Sequence, residues 1–64
     1  MNTAGVMAEI RVLRTLAKRN AKARTVLLRL RGLYAAVAAF LRSAGKTEAL
    51  ERWQQFDSVI NGRG

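Results

Sequence analysis

The chain contains no proline, and most of its residues are strong helix formers. Proline interrupts a helix more effectively than any other residue, at a cost of about 3 kcal/mol in the interior. The alternation of apolar and polar residues that is typical of strands does not persist beyond a few positions. The sequence therefore predicts an all-α protein. With 64 residues it is one small helical domain, 1–64, of a size that gains much stability from a partner.

A turn between two helices is indicated at 43–47. Gly45 comes shortly after Arg42, and a glycine just past a helix with a cation in its last turn is a common C-terminal signal. Thr47 then has the character of an N-cap, and acidic residues follow it in the first turn of the next helix. The pattern predicts an amphipathic hairpin over residues 26–61.

We expect three helices, near 3–19, 23–43 and 47–61, with Thr3 as a candidate cap for the first. The alternative is one continuous helix through the first two segments. In a continuous helix the apolar faces of these segments would be rotated by more than about 100° from each other, which favours a break. Asn20 is the one residue between 18 and 25 with turn character.

Apolar residues recur at helical spacing in all three segments, and we expect them to form the core or an interface. The predicted set is Val6, Ile10, Leu13, Leu30, Leu33, Val37, Phe40, Leu50, Trp53, Phe56 and Ile60. The apolar face of the middle helix is too broad for the short last helix to cover. We therefore expect a homodimer, in which either the Val6–Ile10–Leu13 seam or the alanine-rich patch around Gly32 packs against a second copy.

Positive charge is concentrated in the first half of the chain. Twelve Lys and Arg residues against four Asp and Glu give a net charge of +8. Residues 1–31 contribute eight bases and one acid (+7), and residues 32–64 contribute four bases and three acids (+1). No acid lies between Arg11 and Arg31, which we call the basic segment, 11–31. Unrelieved repulsion of this kind indicates an anionic partner.

The cations of the basic segment are the candidate binding residues for nucleic acid or for an acidic protein. They are Arg11, Arg14, Lys18, Arg19, Lys22, Arg24 and Arg29. Five of them line one stripe if the segment is helical throughout, and we expect these to contact phosphates: Arg11, Arg14, Lys18, Lys22 and Arg29. Arg19, Asn20 and Arg24 are the nearest candidates for base edges. No recognised reading motif accompanies the charge.

The residues that are missing exclude several classes of protein. Without histidine or cysteine the chain has no disulfide, no usual zinc site and no nucleophile–base pair. We therefore expect no enzyme, no metal and no cofactor. The longest uncharged stretch in the middle of the chain, 32–41, is too short to span a bilayer, and we expect a cytoplasmic protein.

Together these observations predict a small basic nucleic-acid-binding accessory or regulatory protein of a phage or plasmid type, bacterial in composition. Two alternatives remain open. One is an adaptor or inhibitor that docks an acidic host or regulatory protein by helix packing. The other is a cationic amphipathic protein that lies on a membrane surface.

Overall fold

The computed structural model describes residues 2–62, and all the regular structure in that range is helical. The helices are α1 (Thr3–Ala17), α2 (Ala21–Ser43), α3 (Thr47–Gln54) and α4 (Asp57–Asn61). α1 packs against α2, α3 packs against α2, and α4 contacts both α1 and α2. At 1.5 Å per residue α2 is about 35 Å long, close to the longest dimension of the molecule, 39 Å. The predicted all-α fold is confirmed.

The chain breaks between α1 and α2, so the alternative of one continuous helix is wrong. The backbone of Asn20 is extended, with φ −126° and ψ 117°. Its side-chain oxygen accepts hydrogen bonds from the backbone N–H groups of Lys22 (2.9 Å) and Ala23 (3.2 Å). Asn20 is therefore the N-cap of α2, which begins two residues earlier than expected, and α1 ends two residues earlier, at Ala17.

The turn between α2 and α3 has the two hydrogen bonds of a Schellman motif. The N–H of Lys46 donates to the carbonyl of Leu41 (2.9 Å), and the N–H of Gly45 donates to that of Arg42 (3.2 Å). Gly45 has φ +69°, in the left-handed region that favours glycine. The predicted turn at 43–47 is confirmed.

Two predicted N-caps are displaced by one residue. Lys46, not Thr47, occupies the N-cap position of α3 and makes no side-chain capping bond, because the motif that closes α2 ends on Lys46. At the start of α1 the cap is Asn2 instead of Thr3, and its side-chain oxygen accepts from the N–H of Ala4 at 3.1 Å.

The predicted third helix, 47–61, is divided into α3 and α4. The N–H of Phe56 donates to the carbonyl of Trp53 (3.1 Å), which closes a tight turn before α4 begins. The turn changes the direction in which the following side chains point. Val59 lies outside the apolar stripe of a continuous helix, yet it is only 4% exposed. Breaking the helix thus allows Val59 and Ile60 to be buried together.

The core lies where α4 meets the α1–α2 pair. Its buried members are Ile10, Tyr34, Val59 and Ile60, and the half-buried side chains packed against them are Val6, Met7, Leu30, Trp53 and Phe56. The Trp53 ring stacks on that of Tyr34, with the ring centroids 5.5 Å apart, and its indole N–H donates to the Tyr34 carbonyl (3.0 Å). The aromatic residues of the last segment are therefore core residues of the protomer.

The structure divides the predicted core and interface residues into three groups. Ile10 and Ile60 are buried, whereas Leu33 and Phe40 are 59% and 64% exposed. The remaining seven are half-buried: Val6, Leu13, Leu30, Val37, Leu50, Trp53 and Phe56. The seam that was expected to meet a second copy is used within the protomer, since Ile10 belongs to the core and Val6 packs against it.

Alanine substitutions at Gly32, within α2, and at Gly45, in the turn that follows it, should change the free energy of unfolding in opposite directions. Gly45→Ala forces an L side chain into the left-handed region, and we expect the free energy of unfolding to fall by about 1–2 kcal/mol. Gly32 is helical, and a Cβ at Gly32 would meet nothing within 4 Å. Gly32→Ala should therefore raise the free energy of unfolding by up to about 1 kcal/mol. Urea denaturation followed by circular dichroism measures both, and a stabilising Gly45→Ala would contradict the turn.

Candidate nucleic-acid interface

Arg24, one of the predicted site residues, contacts the end of the preceding helix. Its Nε–H donates to the carbonyl of Ala17 (3.1 Å), the last residue of α1. The last four carbonyls of a helix have no partner within the helix, and cations near them interact favourably with the helix dipole. The side chain that was a candidate for base edges is thus used to close the α1–α2 hairpin.

Two further arginines lie at the C-terminal end of α4. The Nε–H of Arg31 donates to the carbonyl of Ile60 (3.1 Å). Arg14 covers Gly62, where a Cβ would lie 2.7 Å from its Nη2 atom. Both arginines are half-buried. They link α1 and α2 to the same short helix. Arg14, which was predicted to contact phosphate, therefore has a structural contact within the protomer.

The other five cations of the basic segment are exposed, as Arg24 is, but make no such contact with a helix end within residues 2–62: Arg11, Lys18, Arg19, Lys22 and Arg29. Lys18, Arg19 and Lys22 lie around the α1–α2 turn, and we call these three residues the basic end. A shallow open depression at this turn is lined by Thr15, Leu16, Lys18, Arg19 and Asn20. The basic end is the densest group of exposed cations in the described part of the chain.

The single basic stripe expected for a continuous helix does not form. Because the chain turns at residues 18–20, Arg11 lies on α1 and Arg29 on α2. Arg11 lies seven residues before Lys18, and Arg29 lies seven residues after Lys22. Each separation corresponds to about 10 Å along the helix axis. Arg11 and Arg29 therefore flank the basic end on two helices.

The N-terminus of α2 adds positive potential to the basic end. Helix N-termini carry roughly half a positive charge, and acidic residues in the first turn usually offset it. The first turn of α2 contains no acid and does contain Lys22. Lys18 and Arg19, which follow the C-terminus of α1, are favourably placed for that helix. Lys22 is thus the cation whose position costs stability, and an anion bound beside it would relieve the cost.

The structure leaves few groups free to read bases. The side-chain oxygen of Asn20 caps α2, and the Nε–H of Arg24 bonds to α1. Arg19 alone of the three predicted base-contacting residues has no such role within residues 2–62. Base-stacking residues are also distant, because Tyr34, Trp53 and Phe56 pack together in or against the core.

Residues 2–62 contain neither a group of metal-binding side chains nor a membrane-spanning helix. No three histidine, cysteine, aspartate or glutamate side chains there form a group that could hold a metal ion. Within the same range, no helix has both the length and the apolar character needed to cross a bilayer. No protein-family model, curated protein sequence or solved structure matches the chain.

Substitutions at the arginines that contact helix ends (Arg14, Arg24 and Arg31) should lower stability more than substitutions at the basic end. Arg31→Met keeps the apolar stem but removes the donor to the Ile60 carbonyl, and we expect the free energy of unfolding to fall by about 1–2 kcal/mol. Lys18→Met is the matched control at an exposed position and should change it by less than about 0.5 kcal/mol. Equal effects of the two substitutions in urea denaturation would contradict this division of the cations into structural and exposed residues.

Proposed function

We propose that the protein binds the phosphate backbone of duplex nucleic acid through the basic end. The observation that carries the proposal is the grouping of Lys18, Arg19 and Lys22, all exposed, at the turn between the C-terminus of α1 and the N-terminus of α2. Lys22 is repelled by the positive end of the α2 dipole, and a bound phosphate interacts favourably with both. The nearest acidic residues in the sequence are Glu9, before this group, and Glu48, after it.

A double-stranded backbone fits this surface better than single-stranded bases do. Proteins that bind single strands combine cations with aromatic side chains on which bases stack. Tyr34 and Trp53 stack on each other inside the protomer, and Phe40 lies at the far end of α2. With Arg19 as the main residue left to reach a base edge, the binding has little sequence preference. Such binding suits an accessory or architectural role.

The exposed apolar side chains of α1 and α2 favour a second candidate function. An adaptor that docks an acidic protein would use them as anchors, with the basic end as a charged rim. We rank this function second, because the same apolar side chains are also suited to contact a second copy of the chain.

We infer that the protein acts as a homodimer, in which two basic ends contact one polyanion.

Charge reversal at the basic end tests the proposed function. For the wild type we expect the logarithm of the duplex association constant to fall with the logarithm of salt concentration, with a slope of about −2.7 to −4.5 for three to five neutralised phosphates. Lys18→Glu with Lys22→Glu should lower the affinity by at least about tenfold and reduce the slope by about 2. Fluorescence anisotropy between 50 and 200 mM salt measures both, on DNA duplex, RNA duplex and single-stranded DNA.

The matched control is Lys46→Glu with Arg52→Glu, which changes the net charge equally at exposed positions of α3 or just before it. We expect this variant to keep at least most of the wild-type affinity. Lys22→Glu places an acid in the first turn of α2 and should leave the fold intact, which circular dichroism verifies. Equal losses of affinity for the two double variants would show that binding depends on the net charge of the protein and not on the basic end. No binding at 50 mM salt would overturn the proposal.

A further inference from the structure

The apolar face of α2 is shared between the core of the protomer and an exposed stripe. The buried residues are Leu27, Tyr34 and Ala38. Val26, Leu33 and Phe40 are spaced seven residues apart, on a line roughly 120° around the helix from the buried residues. These three are 50%, 59% and 64% exposed. The half-buried Leu30 and Val37 fall between them and complete the 4-3-4-3 spacing with which helices pack in coiled coils.

Helix α1 adds two side chains to the same side of the molecule. Val12 and Leu16 are 59% and 52% exposed and lie roughly 130° around α1 from the buried Ile10 and Ala17. The position of α4 fixes the side, because Arg14 of α1 and Arg31 of α2 both reach it. In two antiparallel helices the exposed stripes then both lie on the side away from the C-terminal end of α4. We call Val12, Leu16, Val26, Leu33 and Phe40 the open face.

We propose that the open face is the interface of a homodimer, in which the α1–α2 hairpins of two copies pack into a four-helix layer. The five side chains together offer on the order of 500 Å² of apolar surface per copy, or about 1,000 Å² per pair. The area offered by each copy is about a tenth of the accessible surface of one chain, 4861 Å². The area per pair reaches the lower limit of specific protein interfaces and is consistent with a dissociation constant in the micromolar range.

The spacing along α2 makes the stripe complementary to itself. Val26 and Phe40 are equidistant from Leu33, so a two-fold axis at Leu33 places Leu33 against its own copy. It also places the small Val26 of each copy against the large Phe40 of the other. A pairing of large with small side chains is what interdigitating helices require.

The same symmetry also separates the positive charges. Asn20 lies thirteen residues from Leu33, about 20 Å along α2, so the two basic ends would be roughly 40 Å apart. The Debye length at physiological salt is about 8 Å, so their mutual repulsion is screened. The charge of the two basic ends is thus compatible with this dimer, and Arg29 is the exposed cation of α2 that lies nearest the axis. The proposal does not depend on the protein's binding nucleic acid.

Leu28 provides a matched control for Leu33. It is 58% exposed on the same helix but lies roughly 140° around it, outside the open face. Sedimentation equilibrium of nuclease-treated protein at 1–100 µM should show a dimer for the wild type and for Leu28→Glu. Leu33→Glu should raise the dimer dissociation constant at least a hundredfold. Circular dichroism should show all three folded, since both leucines are more than half exposed.

The chain has no cysteine, so single substitutions give a second readout. Leu33→Cys should form an intermolecular disulfide under mild oxidation, and Leu28→Cys should remain mostly monomeric. The proposal is overturned by a wild type that is monomeric at 100 µM, or by Leu28→Glu acting as strongly as Leu33→Glu. A monomer that floats with anionic phosphatidylglycerol vesicles, and not with phosphatidylcholine vesicles, would assign the open face to a membrane surface instead. Lys18→Glu with Lys22→Glu should leave dimerisation unchanged while it reduces duplex binding.

Discussion

The capping of α2 by Asn20 determines the rest of this small fold. Its side-chain oxygen satisfies two N–H groups at the start of α2 and allows the chain to reverse within three residues. The reversal brings α1 against α2 and creates the groove that receives α4. It also gathers into one turn cations that a straight helix would distribute along its length. One local hydrogen-bonding motif therefore sets both the packing and the distribution of charge.

The cations of the basic segment have two different roles. Arg24 and Arg31 donate hydrogen bonds to carbonyl groups at helix C-termini, and Arg14 lies against Gly62 at the C-terminal end of α4. Lys18, Arg19 and Lys22 are exposed at the turn, and Lys22 lies beside the positive pole of a helix. Composition does not distinguish these roles, because all six residues belong to the same acid-free stretch. Contacts between elements distant in sequence separate them.

The sequence predicted the parts of the fold that depend on local interactions. The helical class, the Gly45 turn and the break near Asn20 all follow from single residues whose backbone preference is strong. The division of the last helix could not be predicted in the same way, because it depends on Val59 and Ile60 packing against α1 and α2. The sequence did predict that the last helix leaves part of the apolar face of the middle helix uncovered, but it did not show that Leu33 and Phe40 are the exposed residues. A helical wheel shows which residues share a face, but it does not show how much of that face the short α3 and α4 cover. The candidate site was predicted as a segment, and we propose one end of it because Arg14, Arg24 and Arg31 contact other helices.

The length of α2 has a consequence for how ionic conditions would act on the protein. Its N-terminus carries the basic end, and its middle and C-terminal half carry most of the open face. Added salt competes with phosphates for the first surface, whereas the burial of apolar side chains at the second depends little on ionic strength. One helix would thus carry two surfaces that differ in their response to ions. By thermodynamic linkage, a polyanion long enough to contact both basic ends of one dimer would favour pairing of the chains.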